Sequence, residues 1–133
     1  MKPFRAMAVS GMLGYGFTEE AFTRGLKLGL DLIACDAGSA DPGPYYLGSG
    51  SAFVSRLAVK RDLEFMVTAG LQHKVPVIIG SAGGGGSDVH VDWTLDILRE
   101  ICEKHMIAPR VAVLRSEIDR ESLKAKIIAG QTS

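Results

Sequence analysis

The sequence predicts an α/β protein: a parallel sheet of about four strands in Rossmann-like style, with helices flanking it in three layers. Three observations carry that expectation. Short apolar runs alternate with longer helical patterns in the order strand, loop, helix, four times over, and such alternation implies parallel strands joined by right-handed crossovers. The run Val77-Ile78-Ile79 is apolar throughout, as strands covered on both faces are. Loops rich in glycine and carboxylates follow the strands at 11–18, 36–50 and 80–93, and parallel sheets bind ligands beyond the carboxyl ends of their strands.

Taken in order, Phe4 to Ser10 reads as a first strand of mostly small residues. A glycine-rich turn follows, and Thr18 then caps a helix whose first turn holds Glu19 and Glu20, where the helix dipole favours negative charge. Ala21, Phe22, Leu26 and Leu30 give it a helical stripe. Leu32, Ile33 and Ala34 form strand two. Ser51 to His73 reads as the longest helix, ended by Lys74 and Val75-Pro76 because a residue before proline avoids helical geometry. Val77 to Ile79 is strand three. The next helix carries the regular stripe Ile97, Leu98, Ile101, Cys102 and His105. Val111, Val113 and Leu114 read as strand four, and Asp119 caps a last helix through Leu123, Ile127 and Ile128 that stops at Gly130.

At 133 residues the chain has the size of one domain, spanning 1–133. Fifteen basic residues balance fifteen acidic ones with no basic block, which disfavours nucleic acid and membrane surfaces as partners. The apolar runs are too short to span a bilayer, and the N-terminus lacks the uninterrupted apolar core of a secretory leader. Cys35 and Cys102 read as buried thiols in a reducing, cytoplasmic setting. A four-stranded sheet leaves edges to be covered, so self-association or a partner subunit is expected.

The segment Asp36 to Gly50 has a composition that packing does not ask for: two carboxylates, serines, prolines, glycines and the pair Tyr45-Tyr46. Asp36 ends a strand, a common place for a catalytic or metal-holding carboxylate. In this reading Asp36 and Asp41 do chemistry while Ser39, Tyr45 and Tyr46 orient substrate. The structural alternative is that both aspartates form Asx turns that hold the loop's own backbone. Asp-Ala-Gly-Ser is similar to the first phosphate motif of the actin-like ATPases, but that motif needs a β-hairpin, and Pro42 and Pro44 argue against one. Ser81, Gly83, Gly84, Gly85 and Ser87 lie in a glycine run between a strand and a helix N-terminus, where backbone N–H groups can hold a carboxylate or phosphate. It is neither a P-loop nor a G-x-G-x-x-G motif. Asp88, His90 and Asp92 follow as D-x-H-x-D, able to bind a divalent metal or act as acid and base; alternatively Asp88 caps the helix and His90 faces solvent.

Together GMLGYGF, CDAGSADPGPYYLGSG, SRLAVKRDL, VPVIIGSAGGGG and HVDWTLDILREI resemble the N-terminal region of the acyclic terpene utilisation family, over nearly the whole chain. Members of that family are several times longer, so the resemblance implies the N-terminal portion of a larger architecture. It also implies a catabolic enzyme or enzyme subunit, of lyase or hydratase type, acting on a branched acidic or acyl-CoA substrate. It supplies no catalytic residue directly. The motif positions are Asp36, Gly38, Ser39, Asp41, Pro42, Gly43, Tyr45 and Tyr46, with Gly80 to Gly83 and Asp92-Trp93. A nucleotide- or phosphate-binding module without chemistry of its own is the alternative.

Overall fold

The computed structural model describes residues 3–131; Met1, Lys2, Thr132 and Ser133 lie outside it. Three strands, β1 (Ala6–Ala8), β2 (Leu32–Asp36) and β3 (Val77–Gly80), form a parallel sheet in the order β1-β2-β3. The helices are α1 (Glu19–Leu26), α2 (Pro44–Ser49), α3 (Arg56–His73), α4 (Asp88–His105) and α5 (Arg120–Ile128), with a 3₁₀ turn at Ala82–Gly84. The mixed α/β class and the parallel sheet are therefore as expected.

Several elements differ in extent. β1 is three residues long, and Phe4 is 72% exposed outside it. The helix expected from Ser51 begins at Arg56 instead, and the separate helix α2 precedes it. α2 opens on Pro44 and stops at Gly50 in the left-handed region (φ 71°), the pairing of proline at a helix start with glycine past its end. Thr18 does cap α1, its hydroxyl oxygen accepting from Ala21 N. The expected fourth strand at Val111–Leu114 forms no ladder: these residues have no regular structure and are exposed. An alternating apolar pattern says which residues could pair. It does not say whether a strand edge stands beside them.

Both crossovers step in one direction across the sheet, so right-handedness puts α1 and α3 on the same face. Contacts agree: Met7 of β1 lies under Gly25 of α1, and Val77 of β3 lies under Gly70 of α3. Ile33, Cys35, Leu63, Met66, Ile97 and Ile101 meet on this side as the core, with α4 packed along α3. Burial pushes the Cys35 thiol pKa up, so it is a packed side chain and not a ready nucleophile; Cys102 is half-buried. The other face, carrying Ala6, Ala8, Leu32, Ala34 and Ile78, is open. Ala6 and Ala8 are exposed and Ile78 is 55% exposed. Among the described residues helices thus cover one face of the sheet, giving two layers and not the three expected.

Ion pairs tie α3 to α4. Glu100 lies 2.8 Å from Arg56 Nη2 and 2.7 Å from Lys60 Nζ. Arg56 foremost, then Lys60, pushes its carboxyl pKa down to about 2 from 4.5. A folded-state value below the unfolded one stabilises the fold above the unfolded value and stops doing so as pH falls through the folded one. The effect of Glu100→Gln on the melting temperature should therefore be visible at neutral pH and vanish between pH 4.5 and 2. Thermal melts of the two proteins across that range measure it. The pair is solvent-exposed, so the effect is small and shrinks with salt.

Candidate functional site

Three loops converge at the carboxyl ends of the strands, and buried groups fix their shapes. The loop after β1 wraps round Asp62 of α3, which is 0% exposed. Asp62 Oδ2 accepts from Gly14 N at 2.9 Å and Gly16 N at 3.0 Å, and Oδ1 accepts from Arg61 Nη1 at 2.7 Å. Arg61 also donates to Phe17 O and lies over the Phe17 and Phe65 rings. Asp62 was not singled out in the sequence, although a carboxylate between Val59, Leu63 and Met66 on a helical stripe is the signal that marks it.

Asp36 ends β2 beside Gly80, its register partner on β3. It is exposed, and its Oδ1 accepts from Gly38 N at 2.9 Å. That hydrogen bond, with smaller help from the Ser81 and Ser39 hydroxyls, holds the carboxyl below its ordinary pKa against a modest desolvation effect. Asp36 is therefore a carboxylate throughout the physiological range, in the Asx turn that was the structural alternative. Asp41 makes a second such turn, accepting from Gly43 N at 2.9 Å.

The glycine run meets this loop on the same rim. A methyl on Gly38 would lie 2.5 Å from Gly84 O and 2.7 Å from Ser81 Cβ. Gly84 N donates to Ser81 O, and Gly85 N and Gly86 N donate to Ala82 O. These N–H groups, expected to face an anion, are turned into the loop itself. Ser81 adopts φ 46°, and Gly83, Gly84 and Gly86 have φ of 71°, 109° and 68°.

α4 starts at Asp88, so D-x-H-x-D lies on a helix. Two residues turn a helix about 200°, which sends His90 to the side opposite Asp88 and Asp92. His90 is 1% exposed and pressed under Gly83 and Gly85. Its Nε2 lies 3.2 Å from Ser51 O and its Nδ1 2.9 Å from Ser87 Oγ. A carbonyl only accepts, so Nε2 carries the hydrogen, and in the neutral ring Nδ1 accepts from Ser87. His90 thus joins the glycine run to the segment after α2. Its burial was legible, because His90 and Thr94 extend the stripe of Ile97 and Ile101 backward by helical spacing.

Asp88 and Asp92 face Arg115, which hydrogen-bonds Asp92 and lies 3.1 Å from Asp88 Oδ1 as an ion-pair contact. Glu117 Oε2 accepts from Asp88 N at 2.8 Å, putting a carboxylate at the helix N-terminus, where the dipole favours one. Arg115 and Glu117 lie between the expected fourth strand and Asp119, where no sequence pattern singles them out. Among the described residues no group of three or more His, Cys, Asp or Glu side chains is placed to hold a metal ion.

Tyr45 and Tyr46 stand on α2, edge to face with each other (centroids 5.2 Å apart), and Tyr46 is edge to face with Phe53 (5.3 Å). Between the loops a crevice of about 10 Å³ is lined by Met12, Leu13, Ala37, Phe53, Gly83 and Trp93, among others. It has room for about one water, so a substrate must lie over the rim or open the crevice.

Fold and rim define a parallel α/β protein with its candidate site at the carboxyl edge of the sheet. No family model, curated protein or solved structure matches the chain. Among the described residues no helix is long and apolar enough to cross a membrane.

Proposed function

We propose that the chain is part of a catabolic enzyme of lyase or hydratase type, acting on a branched acidic or acyl-CoA substrate, as the resemblance to the acyclic terpene utilisation family implies. One observation carries the reading: Asp36 is exposed, ionised and flanked by the hydroxyls of Ser39 and Ser81, where two loops meet over β2 and β3. A carboxylate so placed accepts the proton or hydrogen bond of a substrate hydroxyl or water, and Ser39 and Ser81 position the rest. Tyr45, Tyr46 and Asp41 lie on the following segment and would border the substrate.

Such reactions also deliver a proton. Both ring nitrogens of His90 are engaged, and Asp88 is bound to Arg115. The reading therefore rests on Asp36, with Asp88 available only if the 115–117 segment moves. The fuller Rossmann-like sheet of four strands would require Val111–Leu114 to join β3. A phosphate-binding module without catalysis is the second reading, favoured by the carboxylate of Glu117 already seated at the α4 N-terminus.

Asp36→Asn keeps the Oδ1 acceptor for Gly38 N and removes the charge. On branched 3-hydroxyacyl-CoA and enoyl-CoA probes we expect it to lower turnover by about 10² or more while the protein stays folded with only a small fall in melting temperature, since the ionised carboxyl contributes a little to stability. Equal turnover by both proteins would remove Asp36 from the chemistry. Stabilisation by ATP or inorganic phosphate, with no response to the CoA esters, would favour the module.

A further inference from the structure

The sheet ends at β3. Pro76 O and Gly80 O accept from Ile33 N and Ala37 N on the β2 side, so by alternation Val77 and Ile79 turn their N–H and C=O groups to the open edge. Among the described residues no strand pairs with that edge. Unpaired backbone of this kind is a template for another strand.

The path of the chain brings one segment toward it. Both earlier crossovers run through helices on the covered face and step from β1 to β2 to β3. α4 leaves β3 and packs along α3 on the same face. A right-handed crossover through α4 therefore delivers the next segment to the side of β3 away from β2. That segment is held at both ends of α4. Ile107 N donates to Cys102 O in the last turn, and Arg115 pairs with Asp88 and Asp92 in the first two turns. It thus runs back along the helix toward the carboxyl rim, in the sense in which β3 runs. Between its ends lies Val111-Ala112-Val113-Leu114, apolar throughout, as strands inside parallel sheets are.

What keeps this segment off the sheet is polar and weak. Every residue from Arg110 to Gln131 is exposed. Among the described residues, the hydrogen bonds and ion pairs that tie this stretch to the rest are those of Arg115 with Asp88 and Asp92 and of Glu117 with Asp88 N. The side chains of Arg115, Asp88 and Asp92 are 43%, 48% and 58% exposed, so water and salt compete for each pair. Within the clasp Asp88 Oδ1 is shut off from water yet makes no hydrogen bond, a cost that opening relieves. Strand pairing would satisfy Val77 and Ile79 and take apolar side chains out of water.

We propose that residues 111–114 dock on the open edge of β3 as a fourth parallel strand, and that the clasp of Arg115 on Asp88 and Asp92 is the catch that holds them away. The use of this movement rests on the reading given above: it uncovers Asp88 as the second acid–base group beside the rim.

Amide exchange reads the state of the edge. Arg115→Gln, at an exposed position, should slow exchange of the Val77 and Ile79 amides at least about tenfold. It should also bring backbone NOEs between 111–114 and 77–79. Salt at about 0.5 M should move the parent the same way, because the catch is screened. Adding Ala112→Pro and Val113→Pro to Arg115→Gln should abolish the new protection, since one of two neighbouring residues faces β3 in any register. Equal exchange in the parent and Arg115→Gln would overturn the proposal. So would protection that survives the two prolines, or that rises with protein concentration as pairing between copies would. These readouts make no use of activity, so their failure leaves Asp36 in place. Turnover indifferent to Asp36→Asn would leave the strand in place and remove only the use of Asp88.

Discussion

Asp62→Ala is expected to lower stability by about 3 kcal/mol, a fall of roughly 10 °C or more in melting temperature for a domain of this size. The carboxylate is fully buried and accepts from two backbone N–H groups and a guanidinium. Truncation strands Gly14 N and Gly16 N without an acceptor and takes the carboxylate from Arg61, which keeps only its hold on Phe17 in the loop. A stranded buried donor costs more than the net value of the bond it made. Asp62→Asn keeps an oxygen for the backbone and should cost about half as much. Because the loop of 11–17 forms one wall of the crevice through Met12 and Leu13, the Ala variant should also expose that region to amide exchange before the rest unfolds. Equal melting temperatures for Asp62→Ala and the parent would show that the loop is held by its own apolar contacts.

Gly38→Ala is expected to cost about 2–3 kcal/mol, at the upper end for overpacking. Its new methyl would sit 2.5 Å from Gly84 O and 2.7 Å from Ser81 Cβ. The first of these is a backbone atom of a turn braced by His90, so it yields poorly. Relief must come from parting the Asp36 loop and the glycine run, which would also pull Ser81 away from Asp36. Urea unfolding measures the first effect. The second raises the Asp36 carboxyl pKa toward its ordinary value, because the hydroxyl that helps to hold it down is removed, and carboxyl NMR titration reads that change. A variant as stable as the parent, with an unmoved Asp36 titration, would mean that the two loops do not press on each other in solution.

The comparison of Asp36 with His90 shows how far residue types alone lead. Both read as chemistry-bearing in the sequence, and both end up beside the same glycine run. Asp36 follows a strand, so it emerges at the rim, where its neighbours are backbone N–H groups and hydroxyls. His90 lies one turn inside a helix on its buried stripe, so its ring becomes a brace between Ser51 and Ser87. The difference is one of phase on the element. Extending the Ile97 and Ile101 stripe back by four and three residues gives it without coordinates.

The sequence by itself determined what local rules control: three strands from apolar runs, α1 from its Thr18 cap, the long helices from their spacing, and the meeting of Asp36 with the glycine run at one rim, since successive parallel strands end together. Tertiary structure alone decided the rest. Whether Val111–Leu114 pairs depends on a free edge in reach and not on its own alternation. Which carboxylate is buried depends on which loops need an acceptor, and that made Asp62 a loop anchor and gave Asp88 and Asp92 to Arg115. Which face of the sheet stays open follows from two crossovers stepping the same way, a property of the whole path of the chain that no single window of residues contains.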